Sequence, residues 1–96
     1  MATFVSLVSF TDQGIRNIKE SPARLEAFKA TAEKLGVTLK SAYYTSGSYD
    51  LVLITEGTDE AAMSALLKVS SLGNVRTQTM RGFSVDEMKK IIGSLP

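Results

Sequence analysis

The 96-residue chain contains no cysteine and no histidine. Without Cys there are no disulfides, no thiolate metal sites and no Cys nucleophile. Without His, imidazole-based triads and nearly all zinc catalysis are excluded. Charge of one sign is scarce as well. Eleven Lys and Arg stand against ten Asp and Glu, for a net charge of +1, too little for an electrostatic hold on nucleic acid or a membrane surface. Long apolar runs are absent. The longest, Leu51-Val52-Leu53-Ile54, falls far short of the ~20 residues that span a bilayer. The start, Met1-Ala2-Thr3-Phe4-Val5, has no basic stretch and no A-x-A-like cleavage site, so the chain reads as soluble and cytoplasmic. Neither G-x-x-x-x-G-K nor G-x-G-x-x-G occurs, and no spaced acidic cluster suggests a metal. The sequence therefore calls for no cofactor and no metal.

What is present is an ordinary globular mixture, 44% apolar and 22% charged, sized for a single domain over residues 1–96. Residues 2–10 are β-branched, aromatic and small and predict a strand. One parity carries Phe4, Ser6, Val8 and Phe10, the other Val5 and Leu7, so both faces are largely apolar. Thr11-Asp12-Gln13-Gly14 breaks the strand, with Thr11 placed to cap a short turn. Ser21-Pro22 predicts the start of a longer helix, Ser as cap and Pro at the first helical position. Its apolar stripe is Leu25, Phe28, Ala32 and Leu35, and Gly36 ends it. Val37–Thr45 and Tyr49–Glu56 read as strands joined by a Ser46-Gly47-Ser48 hairpin. Thr58-Asp59-Glu60 opens a second helix with the stripe Ala62, Leu66, Val69 and Leu72, closed by Gly73. Residues 74–83 form a more polar strand, expected at an edge. Ser84 and Glu87 make a capping box for a C-terminal helix with the stripe Val85, Met88, Ile92 and Leu95.

The order β-α-β-β-α-β-α predicts a ferredoxin-like, split βαβ sheet of the α+β class, with an added C-terminal helix. Two long helices cover one sheet face. Side chains such as Phe4, Val8 and Ile54 are expected on the other, where full exposure forgoes about 1.5–3 kcal/mol each. A second copy packed sheet on sheet would cover them, making the chain a homodimer or higher homo-oligomer. The competing reading folds the C-terminal helix over part of that face and leaves the rest exposed.

The segment Thr11-Asp12-Gln13-Gly14-Ile15-Arg16-Asn17-Ile18-Lys19, the loop Gly47-Ser48-Tyr49-Asp50 and the run Ser71-Leu72-Gly73-Asn74-Val75-Arg76-Thr77 resemble the GYD domain family over about residues 2–92. Phe10 and Tyr44 stand where many relatives carry Trp, a change of pocket shape rather than of fold. The resemblance implies membership of the dimeric α/β-barrel group, in which two ferredoxin-like sheets pack face to face. That group holds enzymes, ligand sensors and proteins with no known role, so fold alone assigns no chemistry.

Six residues are candidates for a ligand site. Asp12 and Gln13 either reach the mouth of a pocket between sheet and helix or serve a capped turn in which Gly14 supplies a special backbone angle. Tyr43 and Tyr44 point to opposite faces, and Tyr43 or Tyr49 either donates to a ligand oxygen or packs as an aromatic. Asp50 is either a general base beside Asp12, or a partner of Arg76, Arg81 or the Ser46–Ser48 backbone. Arg76 either binds an anion or guards an edge strand. Arg81-Gly82-Phe83 opens like an RNA-recognition consensus, but Ser84-Val85-Asp86 does not continue it, so nucleic acid and membranes are not expected partners. The expected function is a small homo-oligomeric module that binds an apolar or mildly polar small molecule in the barrel interior, or a purely structural assembly unit. The alternative is a cofactor-independent monooxygenase, isomerase or cyclase using Tyr43, Asp12 and Asp50.

Overall fold

The computed structural model describes residues 1–96. Strand β1 (Ala2–Phe10) leads through the short helix α1 (Asp12–Arg16) and a 3₁₀ turn into helix α2 (Ser21–Lys34). Strands β2 (Thr38–Tyr44) and β3 (Leu51–Gly57) follow, then helix α3 (Asp59–Ser71), strand β4 (Val75–Gly82) and helix α4 (Val85–Gly93). The sheet runs β2-β3-β1-β4, antiparallel throughout. Strands β1 and β3, the latter with Leu51 and Leu53 on one face and Val52 and Ile54 on the other, are thus central, and the polar β4 is an edge, in the ferredoxin-like α+β arrangement.

Register decides which side chains share a face. Val5 lies opposite Ile54 and Met80, and Leu7 opposite Val52 and Gln78. Ser6 lies opposite Leu53 and Thr79, and Val8 opposite Leu51 and Thr77. Val8, Leu51 and Leu53 are buried beneath α2, against Leu25 and Phe28. A second cluster joins Val37 to Ala32 of α2 and Ala65 of α3. Phe4 and Val8 therefore face the helices, not the uncovered side expected for them, whereas Val52 and Ile54 do face outward. When both parities are apolar, alternation cannot say which one meets the helices.

Local chemistry explains most boundaries. The hydroxyl of Thr11 accepts from Gly14 N (3.1 Å), and that of Thr58 from Ala61 N (3.1 Å). Gly36 and Gly73 take φ of 90° and 84° after their helices, where a side chain would be strained. Three expectations are corrected. Ser21 lies inside α2 instead of capping it: the preceding 3₁₀ turn runs straight into the helix, freeing the Ser21 hydroxyl to meet Tyr44 OH at 2.9 Å. The β2–β3 connection is longer than three residues, closed by Thr45 N donating to Asp50 O (2.9 Å) and Thr45 Oγ1 to Tyr49 O (2.6 Å). The stripe ends Leu35 and Leu72 are exposed, and Ala65 is buried in their stead.

α4 has its expected capping box, with Glu87 N donating to Ser84 Oγ (3.0 Å) and Ser84 N to Glu87 Oε1 (2.9 Å). It buries no residue and does not fold over the sheet. Val85, Met88, Ile92 and Leu95 are all exposed. The molecule measures 52 × 31 × 18 Å, with a radius of gyration of 14.6 Å, larger than the ~12.5 Å of a compact chain this long. Only 12 of 96 residues are buried, so one copy has a thin core.

Candidate functional site

The six candidate residues fall into three groups. Gln13 belongs to a knot that ties the start of α1 to the α3–β4 turn. Thr11 N donates to Asn74 O (3.0 Å) and Thr11 Oγ1 to Gly73 O (2.6 Å). Gln13 Nε2 donates to Leu72 O (3.1 Å) and Asn74 Oδ1 (3.0 Å). A Cβ on Gly14 would sit 2.0 Å from Asn74 O. Close approach, and not the special backbone angle expected, is what demands glycine: Gly14 has no positive φ. Asp12 is exposed in the first turn of α1, where its charge suits the helix dipole.

Asp50 forms the second group. Phe10 N donates to its Oδ2 at 2.8 Å, and Asp50 N donates to Val8 O at 2.8 Å. The carboxylate therefore satisfies the last backbone donor of β1 and holds the start of β3 against it. Neither Arg76 nor Arg81 pairs with it; the chain's one ion pair joins Lys40 to Glu56 (3.6 Å).

The third group lies on the uncovered face. Tyr43, opposite Val52, is 68% exposed. Tyr49 OH donates to Gln78 Oε1 (2.8 Å), so its side chain crosses β1 to reach β4. Arg76, opposite Ser9 on β4, is exposed and unpaired. Together with Val5, Leu7, Ile54 and Met80 they give an apolar centre with a polar rim.

A separate space lies on the covered side. Between the sheet and helices α2 and α3 is a cavity of about 170 Å³. None of Asp12, Gln13, Tyr43, Tyr49, Asp50 or Arg76 lines it. Its polar lining includes Ser6, Thr55, Thr77 and Thr79 from the sheet and Arg24 from α2. Sequence reasoning passed over these residues. The signal was a run of hydroxyls on one parity of otherwise apolar strands, which reads as ordinary β propensity. Among the titratable groups, Glu87 stands apart, its carboxyl held below the usual range chiefly by the hydrogen bond from the Ser84 backbone.

Comparison with known proteins places this geometry. A relative from Thermus thermophilus, named a glutamine synthetase and cystathionine beta-lyase binding protein, is 31% identical over 90 residues, covering 92% of this chain and 95% of the relative. The structure of a feast or famine regulatory protein from M. tuberculosis, complexed with L-methionine, superposes with a TM-score of 0.63 at 19% identity. It covers 88% of this chain, which spans about half (52%) of that longer one. A crystal structure of a protein from Thermus thermophilus gives 0.57 at 24% identity, over 88% of this chain and 96% of the other. At such identities the two structures speak for the fold alone. The sequence model of the GYD domain matches residues 4–92, and with the Thr11–Gly14 knot, the Tyr49–Asp50 loop and the ferredoxin-like sheet in place, the chain belongs to the GYD domain family.

Proposed function

We propose that this protein is a self-associating binding module. Two copies close their uncovered sheet faces against each other, and the assembly docks on a protein partner. The observation that carries this reading is the outward row Val5, Leu7, Val52 and Ile54, flanked by exposed Met80 and Tyr43. Four strands ~4.8 Å apart and about seven residues long give a face of roughly 19 × 24 Å, about 450 Å² in plan. A stable interface takes about 800 Å² per partner. Side-chain relief and the apolar stripe of α4, also without cover in its own chain, supply the remainder. The rim residues Arg76, Gln78 and Tyr49 suit the polar border of such a contact.

A protein partner is favoured because the candidate polar groups do not converge. Asp50 is engaged by the β1 backbone, Gln13 by the α3–β4 turn, and Tyr43 stands free on the sheet. The Thermus relative is named for binding two enzymes, and we assign this chain a partner of that kind. Size-exclusion chromatography with light scattering tests the assembly, and immobilised glutamine synthetase and cystathionine β-lyase test the docking. Wild type should be at least dimeric at micromolar concentration. Ile54→Lys, placing a charge in the apolar row, should be monomeric with unchanged secondary structure. A monomeric wild type refutes the assembly, and no binding to either enzyme refutes that choice of partner.

A further inference from the structure

The cavity between the sheet and helices α2 and α3 lies on the opposite side of the sheet from the face assigned to assembly. Its walls are largely apolar, with Val8, Leu51 and Leu53 below and Phe28 and Leu66 above. The floor is not. Ser6 and Thr79 share one hydrogen bond at 2.8 Å. Two hydroxyls carry two protons and use one between them, so an O–H and free lone pairs remain. Thr55, opposite Phe4 on the neighbouring strand and 6% exposed, adds a third hydroxyl to the same lining. Three hydroxyls under two helices cost core packing, and an entirely apolar floor would serve stability better. They give the space a polar spot that can orient a guest.

The charges lining the cavity have one sign. Arg24 and Lys68 border it, and no Asp or Glu does. The Arg24 guanidinium is held in place by donating to Asn17 O (2.8 Å) and Gly14 O (3.4 Å). Its remaining N–H donors have no carboxylate, and Lys68 has none either. A fixed guanidinium fork with spare donors matches a carboxylate. The volume sets the tail: an apolar cavity of about 150 Å³ takes up benzene, so about 170 Å³ admits a ring with one or two further carbons.

We infer that this cavity binds a small monocarboxylate, its apolar tail between the sheet and the helices and its carboxylate at Arg24. Binding is independent of how the outer sheet face is covered, so failure of the assembly reading leaves it standing. The test is titration of the full-length protein with phenylacetate and with its neutral analogue 2-phenylethanol, by calorimetry and by amide chemical shifts. Phenylacetate should bind wild type about tenfold more tightly than the alcohol, a difference of about 1.4 kcal/mol. Shifts should concentrate at Val8, Leu53 and Thr79. Arg24→Gln should keep the fold and lose the preference for the acid. Saturable binding of neither compound overturns the inference. So do equal binding of both to wild type, shifts centred on Leu7 and Ile54, or a preference for the acid that survives Arg24→Gln.

Discussion

Gly14→Ala is a perturbation whose sign separates two accounts of one residue. Gly14 lies inside α1, where alanine is favoured over glycine by about 1 kcal/mol on helix propensity alone. If propensity governs, the variant is more stable. The structure requires the reverse. The new Cβ would stand 2.0 Å from Asn74 O, 3.0 Å from Asn74 C and 3.3 Å from Asn74 Cα. These are backbone atoms, with no flexible side chain to swing aside. Two backbones must therefore separate by about 1 Å, at an overpacking cost of about 1–3 kcal/mol. The same movement strains the bonds that Thr11 and Gln13 make to Leu72, Gly73 and Asn74, each worth about 1 kcal/mol. A net loss of about 3 kcal/mol follows, which for a domain of this size lowers Tm by roughly 12–24 °C.

Urea unfolding followed by circular dichroism, at one fixed protein concentration, measures the effect. Gly93→Ala is the control, because nothing lies within 4 Å of its new Cβ and α4 buries no residue. It should not lower the midpoint, because alanine is the better helix former and meets no neighbour there. A Gly14→Ala variant within about 0.5 kcal/mol of wild type, the range of an inconsequential surface change, or a stabilised one, would refute the close-approach account.

Asp50→Ala removes the acceptor of the half-buried Phe10 N–H and should cost about 2 kcal/mol in urea unfolding, the penalty of an unpaired donor. Asp50→Asn, whose amide oxygen can still accept, should cost less; a larger loss for Asn than for Ala would contradict the assigned role. Glu87 gives a pH dependence. Its carboxyl is lowered from 4.5, first by the Ser84 backbone hydrogen bond, so its contribution is present above the unfolded value and is lost as pH falls through the folded one. In the Ile54→Lys monomer, where α4 buries no residue, amide exchange should show α4 fraying as pH falls through the folded value of Glu87 while β1 and β3 stay protected. Uniform loss of protection across the chain would place the effect elsewhere.

The parts of the fold that rest on local chemistry were legible in the sequence. Thr11, Thr58 and Ser84 announce their helices because a hydroxyl before a helical run has few other uses, and Gly36 and Gly73 mark positive φ at helix ends. The central placing of β1 and β3 followed from their two apolar faces. The parity of those faces did not, because Phe4 and Val8 are as hydrophobic as Val52 and Ile54. Of the candidate site residues, Asp50 and Gln13 carried a true signal of constraint, and what they turn out to hold is backbone. Their partners, Phe10 N and Leu72 O, lie 40 and 59 residues away along the chain. Such contacts are set by tertiary approach, which spacing along the sequence does not encode. Arg24 was invisible for the same reason: its meaning comes from the absence of an acid around the cavity, a property of space.

The distribution of side chains over the two sheet faces runs against the economy of a lone domain. The covered face carries Ser6, Thr55, Thr77 and Thr79, while Val5, Leu7, Val52 and Ile54 point outward. The largest fully buried side chain is Val37. A monomer so arranged spends apolar area where water is and hydroxyls where it is not, which leaves little margin against conformational entropy. Closing the outward faces of two copies reverses that balance, and it links stability to concentration. If folded protein is dimeric and unfolded protein is not, each tenfold rise in concentration adds about 1.4 kcal/mol per dimer and raises Tm by roughly 3–5 °C. Calorimetric scans from about 1 to about 100 μM should therefore rise by roughly 6–10 °C in total. Ile54→Lys should flatten the dependence, because a charge on the outward row blocks closure without touching Val8, Leu51 or Leu53 beneath the helices. A wild-type Tm that does not move over that range would mean that the thin core of one copy suffices, and the apolar outward face would then need another cover.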